Sequence, residues 1–167
     1  MIKHITFKAM ITFAALLIAF VTIGFVTAQN RATSDGFIHL IIEDADGAVL
    51  FDDEIVFHDG ESFYDILNRT FTLTCANAHY QPDETCSHGF VLGPSTNGRV
   101  PDKVILGIKG QHFDLMTNWT DQFLAFEVYV NQAYVLTTQG PSNLAFENGQ
   151  SFRIKVKTPN QNWGNGA

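Results

Sequence analysis

The chain has 167 residues, with ten Lys and Arg against 17 Asp and Glu, a formal net charge of −7. That acidic balance, with no basic stripe, excludes nucleic-acid binding through phosphates as a working role. It also excludes adhesion to anionic lipid headgroups.

Residues 1–28 read as a signal peptide. Lys3 and Lys8 form a basic start, residues 9–26 are uncharged and apolar, and Val26-Thr27-Ala28 is a small-residue cleavage site. The other reading is an uncleaved anchor, since 18 apolar residues stand at the short end of a bilayer span. In that case alone would the protein contact a membrane. Either way the remainder faces outside, so the expected location is secreted or extracellular. The 139 residues left of the 167 fit one domain, which buries about two thirds of its unfolded surface. Without Lys3 and Lys8 they carry eight basic against 17 acidic residues, a charge of −9.

Residues 29–36 are a polar linker, and the predicted domain runs over 37–157. Phe37-Ile38-His39-Leu40-Ile41-Ile42 reads as a strand with His39 on a sheet face. Asp46-Gly47 predicts a type I′ hairpin turn into a second strand over 48–57. A calcium loop would need an oxygen ligand where Ile42 stands, so the hairpin is preferred. Ser62-x-x-Asp65 predicts a capping box, and Phe63, Ile66, Leu67 and Phe71 make one apolar helical face, a core stripe. Residues 73–102 lack clear periodicity and contain Pro82, Pro94, Pro101 and both cysteines. A connection of that length is functional or stapled.

Cys75 and Cys86 form an even pair, which in an exported chain reads as a disulfide. It would close a 12-residue loop and stabilise the fold by about 3 kcal/mol. His79 and His88 lie close by in sequence and leave a metal site, or an enzyme built on it, as the other reading. Their spacing matches no paired zinc-ligand signature.

A strand is predicted over 104–110, ending at Gly110, then a polar loop over 111–123 that carries His112, Phe113, Trp119 and Phe123. Residues 124–130 alternate, with Leu124, Phe126, Val128 and Val130 on one face. Asn131-Gln132 is a tight turn into 133–136. Asn148-Gly149 predicts a last hairpin between 144–146 and 152–157, with Phe152, Ile154 and Val156 facing in. Residues 158–167 are a polar tail. The order of hairpin, helix and strands is α+β: one main helix across a mixed sheet of four to six strands, the β-grasp (ubiquitin-like) arrangement. A parallel pairing of the first and last strands would be natural in it.

From about residue 36 to 157 the chain resembles the transcobalamin-like C-terminal domain family, a β-grasp group largely of unknown function in bacteria. The residues that carry the likeness are Asp59-Gly60-Glu61-Ser62 into the helix, Ile105-Leu106-Gly107-Ile108-Lys109-Gly110, Phe126-Glu127-Val128-Tyr129-Val130-Asn131, and the stretch from Gln139-Gly140 to Phe152. Gln132 stands where the family's turn usually has Gly, and Phe126 where it often has Trp. In cobalamin carriers this domain is one of two that close over the ligand. The resemblance therefore implies a β-grasp fold and, as one possible cofactor, a cobalamin.

No G-x-S-x-G, H-E-x-x-H, G-x-G-x-x-G or Walker loop occurs in the sequence. The expectation is a non-enzymatic binding module for a small ligand, a glycan or a surface protein. His112, Phe113, Trp119, Phe123 and Tyr134 are its candidate ligand-binding rim, since aromatic side chains on loops mark recognition. The competing reading for Phe113 and Phe123 is that they fold back onto the core. Asn68-Arg69-Thr70 and Asn118-Trp119-Thr120 are glycosylation sequons, relevant only in a host that glycosylates exported chains.

Overall fold

A computed structural model describes residues 31–91 and 101–159. The signal peptide with its cleavage site and the tail beyond Pro159 lie outside the described residues. The first hairpin is β1 (Gly36–Glu43) and β2 (Val49–Phe57), paired antiparallel. Its connection differs from a two-residue type I′ turn, which needs positive φ at both central residues. Here only Gly47 has it (φ +84). The reason is Asp44, whose Oδ1 accepts from the backbone N–H of Asp46 (2.9 Å) and Ala48 (2.8 Å). This side-chain turn widens the loop to residues 44–48 and shifts the register between Ile42 and Glu43.

The helix α1 (Phe63–Thr70) begins at the predicted capping box. Ser62 Oγ accepts from Asp65 N–H, and the Asp65 carboxylate accepts from Ser62 N–H at 2.9 Å. It stops where Phe71 turns extended. Eight residues are too few for a stable helix in water, so packing holds it. Phe63, Ile66 and Leu67 are fully buried and Phe71 nearly so, as the apolar spacing predicts.

Next come β3 (Thr72–Ala76), β4 (Pro82–Asp83), β5 (Ile105–Lys109), β6 (Asp114–Met116), β7 (Phe123–Val130), β8 (Ala133–Leu136) and β9 (Ser151–Lys157). They make two sheets instead of the one expected. The larger has five strands in the order β2-β1-β9-β7-β8, with β1 and β9 parallel. The smaller has four in the order β4-β3-β5-β6. It draws β3 and β4 from the stretch without periodicity and β6 from the polar aromatic loop, where β6 pairs with β5 through Ile108 and Leu115.

Both sheets and α1 share one core. Ile38, Leu40 and Ile42 of β1, Phe152 and Ile154 of β9, and Phe63 of α1 are at most 1% exposed and belong to the same cluster as Leu73, Ile105 and Ile108 of the smaller sheet. Each such side chain contributes about 1.5–3 kcal/mol by leaving water. The Phe63 ring sits 4.7 Å from Phe152 and 6.4 Å from Phe126, at the centre of the aromatic packing.

Two turns near the C-terminus behave differently from each other. Asn131 and Gln132 both have positive φ (+50 and +67), and Val130 pairs with Ala133, which is a true two-residue hairpin. Residues 144–146 form no strand, so Asn148-Gly149 closes no hairpin. Its turn is tied to β1 instead: Gly149 N–H donates to the Phe37 carbonyl at 2.7 Å, and Asn148 Oδ1 accepts from Phe37 N–H at 2.9 Å. These bonds set the start of the parallel β1–β9 ladder.

Candidate functional site

Cys75 and Cys86 form a disulfide with Cα atoms 4.9 Å apart. Both sulfurs are consumed by the bridge, so neither is available as a thiolate metal ligand. Among the described residues, no group of three or more His, Cys, Asp and Glu is placed to hold a metal ion. His79 donates its backbone N–H to Asn77 Oδ1, and the His88 ring meets Phe90 edge-on at 4.6 Å.

Trp119 and Phe123 come together, with ring centroids 6.1 Å apart in edge-to-face contact. They line a groove of about 350 Å³ whose remaining walls are Lys103, Val104 and Ile105, residues 124–126 of β7, and residues 136–141. The loop that carries Trp119 is anchored at its root. Thr117, buried, donates both its backbone N–H (2.7 Å) and its hydroxyl (2.9 Å) to the Leu106 carbonyl of β5. Asn118 Oδ1 then accepts from the N–H groups of Thr120, Asp121 and Gln122. That tight turn puts Trp119 at φ +63, a conformation unfavourable for a bulky side chain. Such residues gather at ligand clamps, where the surroundings over-determine them. Asn68, the asparagine of the other sequon, is exposed on α1.

The opposite wall is pinned by a buried carboxylate. Asp102 Oδ1 accepts from Ser142 N–H at 2.8 Å, and Oδ2 accepts from Asn143 Nδ2 at 3.1 Å. Gly140 lies against that carboxylate so closely that a Cβ would stand 2.5 Å from it. Pro141 is fully buried, and its carbonyl accepts from Tyr64 N–H at 3.0 Å, which ties the wall to the first turn of α1.

The other three predicted rim residues lie elsewhere. Phe113 packs on the core with its ring 5.9 Å from Phe71 and folded over Gly110. His112, beside it, is exposed. Tyr134 lies on the outer face of the large sheet, where the Arg153 guanidinium sits 4.4 Å from its ring centroid and Tyr129 is 5.1 Å away. Burial pushes its phenol up.

That face carries a charge network the sequence reading missed. Glu127 is 3% exposed and bonds both Arg153 (2.6 Å) and Lys157, while Arg153 and Lys155 also reach Glu43 at 3.4 and 3.0 Å. Burial alone would raise the Glu127 carboxyl, but the hydrogen bonds from Lys157 and Arg153 outweigh it and hold the group below its ordinary value. Alternation of Glu127 with Phe126 and Val128 was a signal for it, since a carboxylate on a strand beside Arg153 and Lys157 needs a cross-strand partner. A second cavity, of about 630 Å³, lies between residues 31–34 and residues 145–148, with Phe57 at its side.

No family model matches this chain, and no curated protein matches it in sequence.

Proposed function

We propose that this protein is an exported binding module of the β-grasp type, without catalytic activity, whose ligand sits in the Trp119–Phe123 groove. The strand order β2-β1-β9-β7-β8, with its parallel central pair and α1 packed on the sheet, supports the β-grasp reading. It also agrees with the resemblance to transcobalamin-like domains. The single observation that carries the functional reading is the groove: apolar, walled by anchored backbone, and edged by a tryptophan held at positive φ. Preformed apolar concavities with few polar groups are where ligands bind.

A groove of about 350 Å³ suits one or two large side chains or a small apolar ligand. It is too small to enclose a corrin ring, so cobalamin is the weaker reading. Trp119 reports directly on the site once the second tryptophan is changed in a Trp163→Phe background. Candidate ligands, cobalamins and glycans among them, are titrated by fluorescence and by calorimetry. The expected ligand shifts Trp119 emission and loses at least ten-fold in affinity in the Trp119→Ala/Phe123→Ala double variant. A ligand found by calorimetry that binds the double variant unchanged refutes the site.

A further inference from the structure

The large sheet has two edge strands, β2 and β8, each with one neighbour among the described residues. They are guarded very differently. β2 carries Asp52, Asp53 and Glu54 in succession, all exposed, and charge on an edge discourages an incoming strand. β8 has no such guard: residues 131–146 contain no Asp, Glu, Lys or Arg. Exposed apolar side chains gather at its hairpin, where Tyr129, Val130, Val135 and Leu136 are 39–52% exposed.

The ladder fixes which backbone groups the free edge offers. Val130 and Ala133 close the two-residue turn, and Thr137 N–H donates to the Phe126 carbonyl at 2.8 Å. Peptide groups of Ala133, Val135 and Thr137 therefore face β7, and those of Tyr134 and Leu136 face outward, as antiparallel alternation requires. The groove begins where this edge ends, for Leu136, Thr137, Thr138 and Gln139 line it together with Trp119. Among the described residues its one ionisable side chain is Lys103, whose Nζ already donates to the carbonyls of Ser87 (3.4 Å) and His88 (3.1 Å). A charged ligand group would lose its water there without a matched partner.

We propose that an extended, uncharged peptide segment adds to the β8 edge as a further strand and places one large apolar side chain in the Trp119 groove. This rests on the groove being the ligand site. In strand addition, main-chain hydrogen bonds supply affinity and a side-chain pocket supplies specificity. Here the outward groups of Tyr134 and Leu136 supply the first and the groove the second.

The test selects binders to the purified full chain from a displayed library of octapeptides limited to uncharged residues. The best binder is then synthesised with N-methyl groups on one alternate set of amides or on the other. The expected result is a peptide with a central aromatic or Leu residue. One N-methyl set weakens it at least ten-fold, the other by less than two-fold, and Trp119→Ala weakens it as well. No enriched peptide, or indifference to both N-methyl sets, overturns the proposal. If Trp119→Ala still abolishes binding in the latter case, the groove survives and strand addition falls. If N-methylation matters and Trp119→Ala does not, the groove is lost as the ligand site. Light scattering that finds a dimer, returned to monomer by Val135→Lys, assigns the edge to a second copy of the chain and overturns the peptide reading.

Discussion

The Cys75–Cys86 bridge is the perturbation whose size follows most directly from the fold. The two residues are 11 apart and close a loop of 12. Cross-linking a loop of that length removes about 9.5 cal/mol/K of chain entropy from the unfolded state, or about 3 kcal/mol at 25 °C. A domain of about 120 residues unfolds with about 250 cal/mol/K near its midpoint, so the bridge is worth roughly 12 °C in Tm. Calorimetric melts of untreated protein, of reduced and alkyl-capped protein, and of Cys75→Ala/Cys86→Ala measure it. Cys75 is 0% and Cys86 6% exposed, so the alanine pair also forfeits packing and should fall at least as far. A fall below about 4 °C in both forms would mean that the unfolded chain is already restrained between β3 and β4, and the entropy reasoning would be refuted.

Three further outcomes follow from local geometry. Gln132 sits at φ +67 in the two-residue turn, so Gln132→Gly should stabilise by about 0.5–1 kcal/mol, relief of left-handed strain outweighing glycine's entropy; a lower Tm would contradict it. Ser62→Ala removes the acceptor for Asp65 N–H and the donor of a 2.7 Å bond to its carboxylate. It should cost about 1–2 kcal/mol in urea unfolding with an unchanged m-value. Glu127 has its carboxyl held below the ordinary value in the folded state. Its stabilisation is therefore complete above the unfolded carboxylate pKa and is lost as pH falls through the folded one. Glu127→Gln should cost about 2–3 kcal/mol at pH 7 by stranding Arg153 and Lys157, and the gap to the parent should narrow by pH 3; a gap that stays constant with pH would show the pairing to be unimportant.

How much of this was legible depended on whether a residue's role was local. The 3.6-residue spacing of Phe63, Ile66 and Leu67, the Ser62 cap, and the period-two runs of β7 and β9 each report their own element, and those elements formed, although β7 buries residues 124–127 in succession and leaves Val130 exposed. Of the small sheet only β5 was read, as the strand over 104–110, and no local pattern announced β3, β4 or β6. β3 is five residues with a register shift at Cys75, and β5 is buried at four of five positions, so neither alternates. The site was half legible for the same reason. Phe113 and Trp119 look alike in sequence, each aromatic in a polar loop. What separates them is Gly110, which leaves room for Phe113 to fold inward, and Asn118, whose three accepted bonds turn Trp119 out. The groove wall at 136–141 depends on Asp102, far away in sequence, and no local pattern announces it.

The groove lies where β7 and β8 of the five-stranded sheet meet parts outside it, namely Trp119, residues 103–105 and residues 137–141. β1, β2, α1, β7, β8 and β9 would make a complete layer of helix on sheet without residues 72–122. That segment supplies Trp119, and its supports run in sequence: the disulfide fixes Cys75 on β3, β3 pairs with β5, and the Leu106 carbonyl of β5 takes both donors of Thr117, two residues before Trp119. Each link is a backbone ladder or a short bond, none a flexible side chain reaching across solvent. The bridge thus acts twice, on the stability of the fold and on the placement of one aromatic ring. A domain that needs a fixed Trp119 has a physical reason to staple this segment, one that a domain needing only its core would lack.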